Sequence, residues 1–312
     1  MTRIAAGRSL QQLLLAERLR RQRYGLPPRA ELAQWSDAQL DDIAGAPLRW
    51  QRTGWFAPTD DRRDPAYGPA LPVPLLAHAR RACYLIGAGA VASRRRGRVR
   101  LHHQAYGGFN ALCPSEPFWC QPTVIERRGE AFGFYGYSGY LIAPDAVLTC
   151  WHGWEHFNAE PQLAIFDYVA RSPCDQPVDL PEASVVPVRA DPWAIAPDAS
   201  RGAAAADDWV ILRLERSLPG RAPARAALGR AGPGDAVYTL GHPCGLPLKL
   251  ASNASVLSAE TTAFYTDLDT FSGNSGSPVF DAASHALLGI VIEGQKGEGD
   301  FEPVPSQGCY IG

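Results

Sequence analysis

The distribution of apolar residues divides the chain into two parts. In the first 82 residues, Ser9 and Ser36 each open a capping-box pattern ahead of a short apolar stripe, and a third stripe covers residues 75–82. Stripes with this spacing predict short helices. Helices this short are marginal alone, so we expect residues 1–82 to form a mainly helical N-terminal extension that docks on the rest of the protein.

From residue 83 onward the pattern changes to short apolar runs separated by glycine, proline and aspartate. These runs are residues 84–87, 99–103, 137–142, 146–149, 163–169, 209–214, 236–240, 277–280 and 287–292. Many short strands with turn residues between them predict an all-β barrel or sandwich.

Composition agrees with this prediction. The chain has 312 residues, with 30 glycines and 27 prolines, which favours a turn-rich architecture of about two folding units over a helical bundle. Thirty basic and thirty-two acidic side chains give a net charge of −2, so we expect neither a nucleic-acid nor a membrane partner. The arginine-rich run at residues 94–100 contains no aromatic side chain for base stacking, and a solvated loop or hairpin face explains it better.

Cysteine usage and the N-terminus indicate the compartment. The seven cysteines are odd in number and irregularly spaced, which is not typical of a disulfide framework. The apolar run at residues 13–16 ends at Glu17 and Arg18, and it is too short and too charged for a secretory signal or a membrane span. We expect a cytoplasmic protein, with secretion or a periplasmic location as the alternative.

The segment with the clearest chemical pattern is residues 273–278, Gly-Asn-Ser-Gly-Ser-Pro. A serine hydroxyl becomes a useful nucleophile when a base takes its proton and nearby donors stabilise the oxyanion. Glycines allow a tight turn in which two N–H groups point at one oxygen, and here those groups would belong to Gly273 and Ser275. A flexible glycine-serine turn would give the same letters.

Two other segments could supply the base and its partner. Residues 138–149 have the pattern strand, turn, strand, and they place His152 just after the second strand. Asp208 precedes the apolar run 209–214. A histidine there can act as a general base near neutral pH, and a buried carboxylate can orient it. A core histidine and a strand-end cap are the structural alternatives.

The order His152, Asp208, Ser275 and the three local contexts resemble the trypsin-like serine peptidases. The resemblance is closer to the bacterial branch that includes the glutamyl endopeptidases, where a Gly-His/Tyr-Pro-x-Gly segment precedes the serine motif. Residues 241–247, Gly-His-Pro-Cys-Gly-Leu-Pro, fit that segment. The resemblance extends from Cys83 to the C-terminus. It implies an all-β, chymotrypsin-like double β-barrel, with a lead-in and first barrel at residues 83–218 and a second barrel at 219–312.

The resemblance also implies roles. Ser275 would be the nucleophile, His152 the acid and base, Asp208 its orienting partner, and the Gly273 and Ser275 amides the oxyanion donors of a serine endopeptidase. The family positions select these residues over neighbours of the same type, which are His156, Asp207, Ser272 and Ser277. The implied partner is a polypeptide substrate, and no cofactor is implied.

Some positions depart from the family. Asn274 replaces the aspartate that pairs with a freed N-terminus in trypsin-like zymogens, so that activation switch should be absent. Gly153 and Phe271 stand where the family has cysteines, so its familiar disulfides should be missing. The bulky Trp151 beside His152 leaves open a catalytically silent, peptidase-like binding module as the alternative function, and esterase activity is a lesser variant.

Specificity is a further hypothesis. Asp269 lies six residues before Ser275, where the family places the base of the primary pocket, and Glu293 and Gly294 would lie on its wall. This negative charge would favour cleavage after Arg or Lys. Alternatively, Asp269 bonds backbone amides.

A metal site is not expected. The candidate ligands His102, His103, Cys113 and Cys120 lack the paired spacing of a zinc site, and core cysteines with surface histidines explain them better.

Overall fold

The fold is given by a computed structural model, which describes part of the chain. The described residues are Ser36 and residues 73–102, 104–105, 118–119, 131–132, 136–170, 178–196, 208–221, 228–293, 302–304 and 309–311. Within them, helix α1 is Val73–Ala79 and helix α2 is Trp151–Phe157. The 3₁₀ helices are Ala88–Ala90, Glu182–Ser184, Pro219–Arg221 and Pro243–Gly245.

The described residues otherwise form mainly β-strands. In chain order these are β1 (Ala82–Gly87), β2 (Val91–Arg95), β3 (Arg98–Leu101), β4 (Gln104–Ala105), β5 (Phe118–Trp119), β6 (Ala131–Phe132), β7 (Tyr137–Ala143), β8 (Ala146–Thr149), β9 (Gln162–Phe166), β10 (Asp179–Pro181), β11 (Val185–Val188), β12 (Ala194–Ile195), β13 (Val210–Arg213), β14 (Ala236–Gly241), β15 (Lys249–Ala259), β16 (Phe264–Thr266), β17 (Pro278–Asp281), β18 (Leu287–Ile290), β19 (Glu302–Val304) and β20 (Cys309–Ile311).

The first main sheet has seven strands in the order β11-β9-β1-β7-β8-β13-β12, and all neighbours in it are antiparallel. Strand β1, the third in this order, is buried on both faces because its side chains alternate between two cores. Cys83 and Leu85 pack in one core, whereas Tyr84 and Ile86 pack in the other. The strands β10-β3-β2 form a smaller sheet beside it.

The second main sheet has five antiparallel strands in the order β16-β15-β14-β17-β18. One of its faces has a core of its own around Val237 and Val279. The other face contributes Leu240 and Phe280 to a cluster that also contains Tyr140 of the first sheet and Leu75 of α1. This shared cluster joins the two sheets. Small sheets of β19-β20-β5 and β4-β6 complete the described strands.

The observed architecture confirms the predicted mostly-β fold and is consistent with a chymotrypsin-like double barrel, since two curled sheets follow one another in the chain. The predicted helices after Ser9 and Ser36 lie outside the described residues. The prediction of a helix over residues 75–82 was wrong at its end, because the helix stops at Ala79 and Ala82 begins β1. The arginine-rich run forms the β2–β3 hairpin, which turns at Arg96 (φ 51°) and Gly97 (φ 73°).

Candidate active site

Strand pairing brings His152 and Asp208 together. β8 ends at Thr149, and His152 lies in the first turn of α2, which begins two residues later. β13 runs antiparallel to β8 with Val210 opposite Thr149, so Asp208 lies just before its strand at the same end as His152. The register of two strands thus places residues that are 56 positions apart in the chain side by side.

The two residues are joined by two hydrogen bonds. His152 Nδ1 donates to Asp208 Oδ2 at 2.5 Å, and the backbone N–H of His152 donates to Asp208 Oδ1 at 2.9 Å. The Asp208 side chain is 1% exposed and that of His152 is 30% exposed. The carboxylate therefore fixes both the orientation of the ring and the tautomer that carries its proton on Nδ1, which leaves Nε2 free to act as a base.

The surroundings of His152 also change its basicity. Burial of the imidazole lowers its pKa, but the hydrogen bond to Asp208 and the contact with Cys150 outweigh burial and raise the pKa of His152 above 6.5. A carboxylate beside an imidazole stabilises its protonated form. His152 is thus a stronger base than an ordinary histidine.

The segment around Ser275 forms a turn between Phe271 and β17. Gly273 and Gly276 adopt φ values of +94° and +84°, in the left-handed region that side chains disfavour. Asn274 N–H donates to Phe271 O at 2.9 Å, and Gly276 N–H donates to Val291 O at 2.6 Å. Within the described residues, the N–H groups of Gly273 and Ser275 have no acceptor. The turn therefore leaves the N–H groups of Gly273 and Ser275 available to bind a ligand.

The turn packs directly against the end of the β7–β8 hairpin. Ser138 N–H donates to Ser275 O at 2.8 Å. A Cβ added at Gly276 would lie 2.1 Å from Ser138 O, 2.2 Å from Thr149 Oγ1 and 3.1 Å from Cys150 N. This close approach puts Ser275 next to the segment that leads to His152.

Ser275 and His152 are not hydrogen-bonded to each other. Among the described residues, Ser275 Oγ has no hydrogen-bond partner. His152 Nε2 instead lies 3.7 Å from the buried Sγ of Cys150. The structure thus brings His152 and Asp208 into contact, and it places Ser275 nearby without a bond to the imidazole.

The other predicted positions have different surroundings. Asp269 and Glu293 are half-buried, whereas Gly294 and the competing Asp207 lie outside the described residues. Ser277 is fully buried and donates to Asn274 Oδ1 at 3.2 Å. Trp151 packs against the core of the first sheet, with its ring 4.8 Å from that of Trp154.

Two residues near the site were missed by the sequence analysis. Ser138 contacts the turn, and Cys150 contacts His152 Nε2. A small polar residue at a strand end and an apolar thiol carry no pattern of their own, so only the three-dimensional contacts identify them.

Metal and membrane features are absent from the described part of the chain. It contains no group of three or more His, Cys, Asp or Glu side chains placed to hold a metal ion. His103, Cys113 and Cys120 lie outside it. Cys83 and Cys150 are free thiols. None of the described helices is both long and apolar enough to cross a membrane.

Residues 137–290 match the family model described as a trypsin-like peptidase domain. This segment includes His152, Asp208 and the whole turn around Ser275. No curated protein matches the chain. The match supports a trypsin-like peptidase domain within residues 137–290, and the mostly-β architecture is consistent with it.

Solved structures also align with the chain. The protease Rv3671c of M. tuberculosis H37Rv, in an inactive form, is 14% identical over 73% of this chain and 83% of its own, with a TM-score of 0.43. The HtrA-type protease AlgW, solved with a decapeptide, is 16% identical over 70% of this chain and 57% of its own, with a TM-score of 0.40.

Proposed function

We propose that the protein is a serine endopeptidase, because its residues 137–290 match a trypsin-like peptidase domain. One observation carries the proposal: a buried carboxylate orients a histidine beside a serine turn in which two N–H groups have no acceptor among the residues that the structure describes. Ser275 is the nucleophile, His152 the acid and base, and Asp208 its orienting partner. The first barrel, within residues 83–218, supplies His152 and Asp208, and the second, within 219–312, supplies Ser275.

The reaction passes through an acyl-enzyme. Ser275 Oγ attacks the carbonyl carbon of the substrate while His152 Nε2 takes the hydroxyl proton, and Asp208 stabilises the imidazolium. The N–H groups of Gly273 and Ser275 hold the oxyanion. His152 then gives the proton to the leaving amine nitrogen as the peptide bond breaks. In the second half, His152 activates a water molecule that releases the acyl group from Ser275.

Attack requires His152 Nε2 to approach Ser275 Oγ. In the structure this nitrogen contacts Cys150 Sγ, so a movement of the ring or of the Ser275 side chain must bring the two atoms together while Nδ1 stays bonded to Asp208. Catalytic hydrogen bonds often tighten only when substrate is bound. Substrate binding is therefore the step that brings the nucleophile and the base together.

Cleavage after Arg or Lys is the proposed specificity, with Asp269 and Glu293 supplying negative charge to the pocket and Gly294 forming its wall. The motif at residues 241–247 supports membership of the bacterial branch that includes the glutamyl endopeptidases. Matched peptides with Arg or Glu before the scissile bond separate these ideas. Faster cleavage after Arg, reduced in Asp269→Asn, is the expected result, and equal or faster cleavage after Glu contradicts basic specificity.

A catalytically silent peptide-binding module is the second candidate function. The observation that favours it is the missing hydrogen bond between Ser275 and His152, whose Nε2 contacts Cys150. Such a module would bind peptides at the same site and release them intact.

Hydrolysis of a fluorogenic peptide library tests the proposal. We expect cleavage by the wild type that is lost in Ser275→Ala and His152→Ala. Ser258→Ala is the matched control, since this serine is exposed on β15 of the same sheet as the turn. Peptide binding without cleavage by folded wild type would favour the silent module, and equal cleavage by Ser275→Ala would exclude Ser275 as nucleophile.

A further inference from the structure

We propose that Ser138 is a positioning residue that aims the oxyanion donors, an inference that rests on the proposed function. Ser138 lies on β7 of the first sheet, whereas the Ser275 turn precedes β17 of the second. None of its hydrogen bonds involves Ser275 Oγ or His152 Nε2. Its effect on catalysis would pass through the backbone of the turn.

Ser138 binds the turn through both its side chain and its backbone. Its Oγ donates to Gly273 O at 2.7 Å and accepts from the backbone N–H of His242 at 2.9 Å. Its own N–H donates to Ser275 O at 2.8 Å. Thr149 Oγ1 donates to Ser138 O at 2.6 Å, so all the polar atoms of Ser138 have partners. Ser138 is fully buried, and water does not replace these bonds in the folded protein.

The carbonyl groups of the turn decide where its N–H groups point. A peptide unit is planar and trans, so a fixed carbonyl sends the N–H of the same unit in the opposite direction. Ser272 O accepts from Cys244 N–H at 2.5 Å, which directs Gly273 N–H away from residue 244. Asn274 O accepts from Ser277 N–H at 2.8 Å, which likewise sets the direction of Ser275 N–H.

Ser138 holds the two peptide units that alternate with these. The unit after Gly273 is fixed at its carbonyl by Ser138 Oγ, and the unit after Ser275 is fixed at its carbonyl by Ser138 N–H. Four consecutive units are therefore held, and Ser138 supplies two of the four carbonyl bonds. In the described part of the chain, these are the bonds that tie the carbonyls of the turn to the first sheet, where His152 and Asp208 lie.

The hydrogen bond from the backbone N–H of His242 to Ser138 Oγ should not change with pH near neutrality. The His242 ring lies against Tyr168, 5.5 Å between centroids, and its Nδ1 is 3.1 Å from Leu246 O. Burial lowers the pKa of His242 to about 3, so the ring is neutral under working conditions. The hydrogen-bond chain from His242 through Ser138 to Gly273 is thus constant when His152 titrates.

Removing the hydroxyl should weaken transition-state binding more than substrate binding. Without it, Gly273 O loses a donor, and the left-handed Gly273 is free to rotate because glycine has no side chain to restrict it. Misplaced oxyanion donors lower kcat, since they act mainly on charge that develops in the transition state. For Ser138→Ala we expect kcat to fall about tenfold to a hundredfold, with KM changing less than about threefold.

Thr239→Val is the matched control. Thr239 is also a buried hydroxyl that donates to a backbone carbonyl, Pro278 O at 2.8 Å, but this carbonyl lies outside the turn. Thr239→Val loses one buried hydrogen bond and Ser138→Ala loses two, so both thermal stabilities should fall, that of Ser138→Ala by more. Only Ser138→Ala should lose kcat.

Kinetics on a cleaved peptide, together with the rate of fluorophosphonate labelling, tests the inference. A large loss of kcat and labelling rate in Ser138→Ala, absent in Thr239→Val, supports it. Equal effects in the two variants overturn it and leave the proposed function standing, whereas an unlabelled, inactive wild type overturns both. If Ser138→Ala does not fold, Ser138→Cys replaces it. Its weaker thiol donor should give an intermediate kcat, and a kcat equal to wild type would overturn the inference.

Discussion

The acid–base half of the candidate site is held by side chains, whereas the nucleophile half is held by backbone. His152 and Asp208 meet through a 2.5 Å hydrogen bond between a ring and a buried carboxylate. The Ser275 turn is fixed by peptide hydrogen bonds and by two glycines with positive φ. Exchange of one carboxylate oxygen of Asp208 can therefore disable the first half, whereas the second half depends mainly on the path of the chain, with one side-chain bond, from Ser138 Oγ to Gly273 O, supporting it.

The largest effect is expected from breaking the contact between the two halves at Gly276. An alanine there needs an unfavourable positive φ, and its Cβ would meet Ser138 O and Thr149 Oγ1. Strain and overpacking together predict a loss of about 2–4 kcal/mol in the free energy of unfolding and no measurable peptide hydrolysis.

Gly234→Ala separates the two causes of that loss. Gly234 also has a positive φ, +91°, but a Cβ added there meets nothing within 4 Å. Denaturant unfolding should show a smaller loss for Gly234→Ala, with activity kept. Equal losses for both variants would mean that the contact with the first sheet is unimportant.

The next effect concerns the acid–base half alone. Asp208→Asn keeps the shape but removes the charge that stabilises the imidazolium and fixes its tautomer, so kcat should fall about a thousandfold to ten-thousandfold. The raised pKa of His152 predicts that wild-type kcat/KM declines on the acid side with a midpoint above pH 6.5, because the base must be neutral. In Asp208→Asn this midpoint should move to lower pH.

The free energy of unfolding should fall as pH rises, whereas kcat/KM should increase. A folded-state pKa above the unfolded value gives stability that is present below pH 6.5 and is lost as pH rises through the folded pKa. Unfolding measured across this range checks the sign. Asp191→Asn is the control, since this exposed aspartate pairs with Arg189 and Arg213 away from His152. A midpoint unchanged between wild type and Asp208→Asn would contradict the assigned pairing.

The smallest effect is expected at Cys150. Its Sγ contact with Nε2 helps to raise the pKa of His152 and competes with Ser275 for that nitrogen. Cys150→Ala should shift the acid midpoint to lower pH and increase the fluorophosphonate labelling rate severalfold. Cys83→Ala, a fully buried cysteine in the same core, should leave the pH profile unchanged. A slower labelling rate in Cys150→Ala would show that the thiol assists catalysis.

The sequence predicted the elements that follow strong local patterns. The run 146–149 matched β8 at both ends, and the position of His152 after it was confirmed because alternating strands and a turn leave a clear signature. β2 was not among the predicted strands, because its sequence, Val-Ala-Ser-Arg-Arg, has no apolar alternation and none of its residues is buried. The remaining contacts of the site could not be predicted, because they join residues that are distant in the chain. Ser138 and Gly273, for example, are 135 residues apart, and no local pattern predicts their hydrogen bond.

The central claim is that His152 and Asp208 activate Ser275, and fluorophosphonate labelling followed by peptide mapping tests it most directly. We predict one adduct on the wild type, located on Ser275, that is lost in Ser275→Ala and strongly reduced in His152→Ala. An adduct on another residue, or equal labelling of folded His152→Ala, would contradict the account.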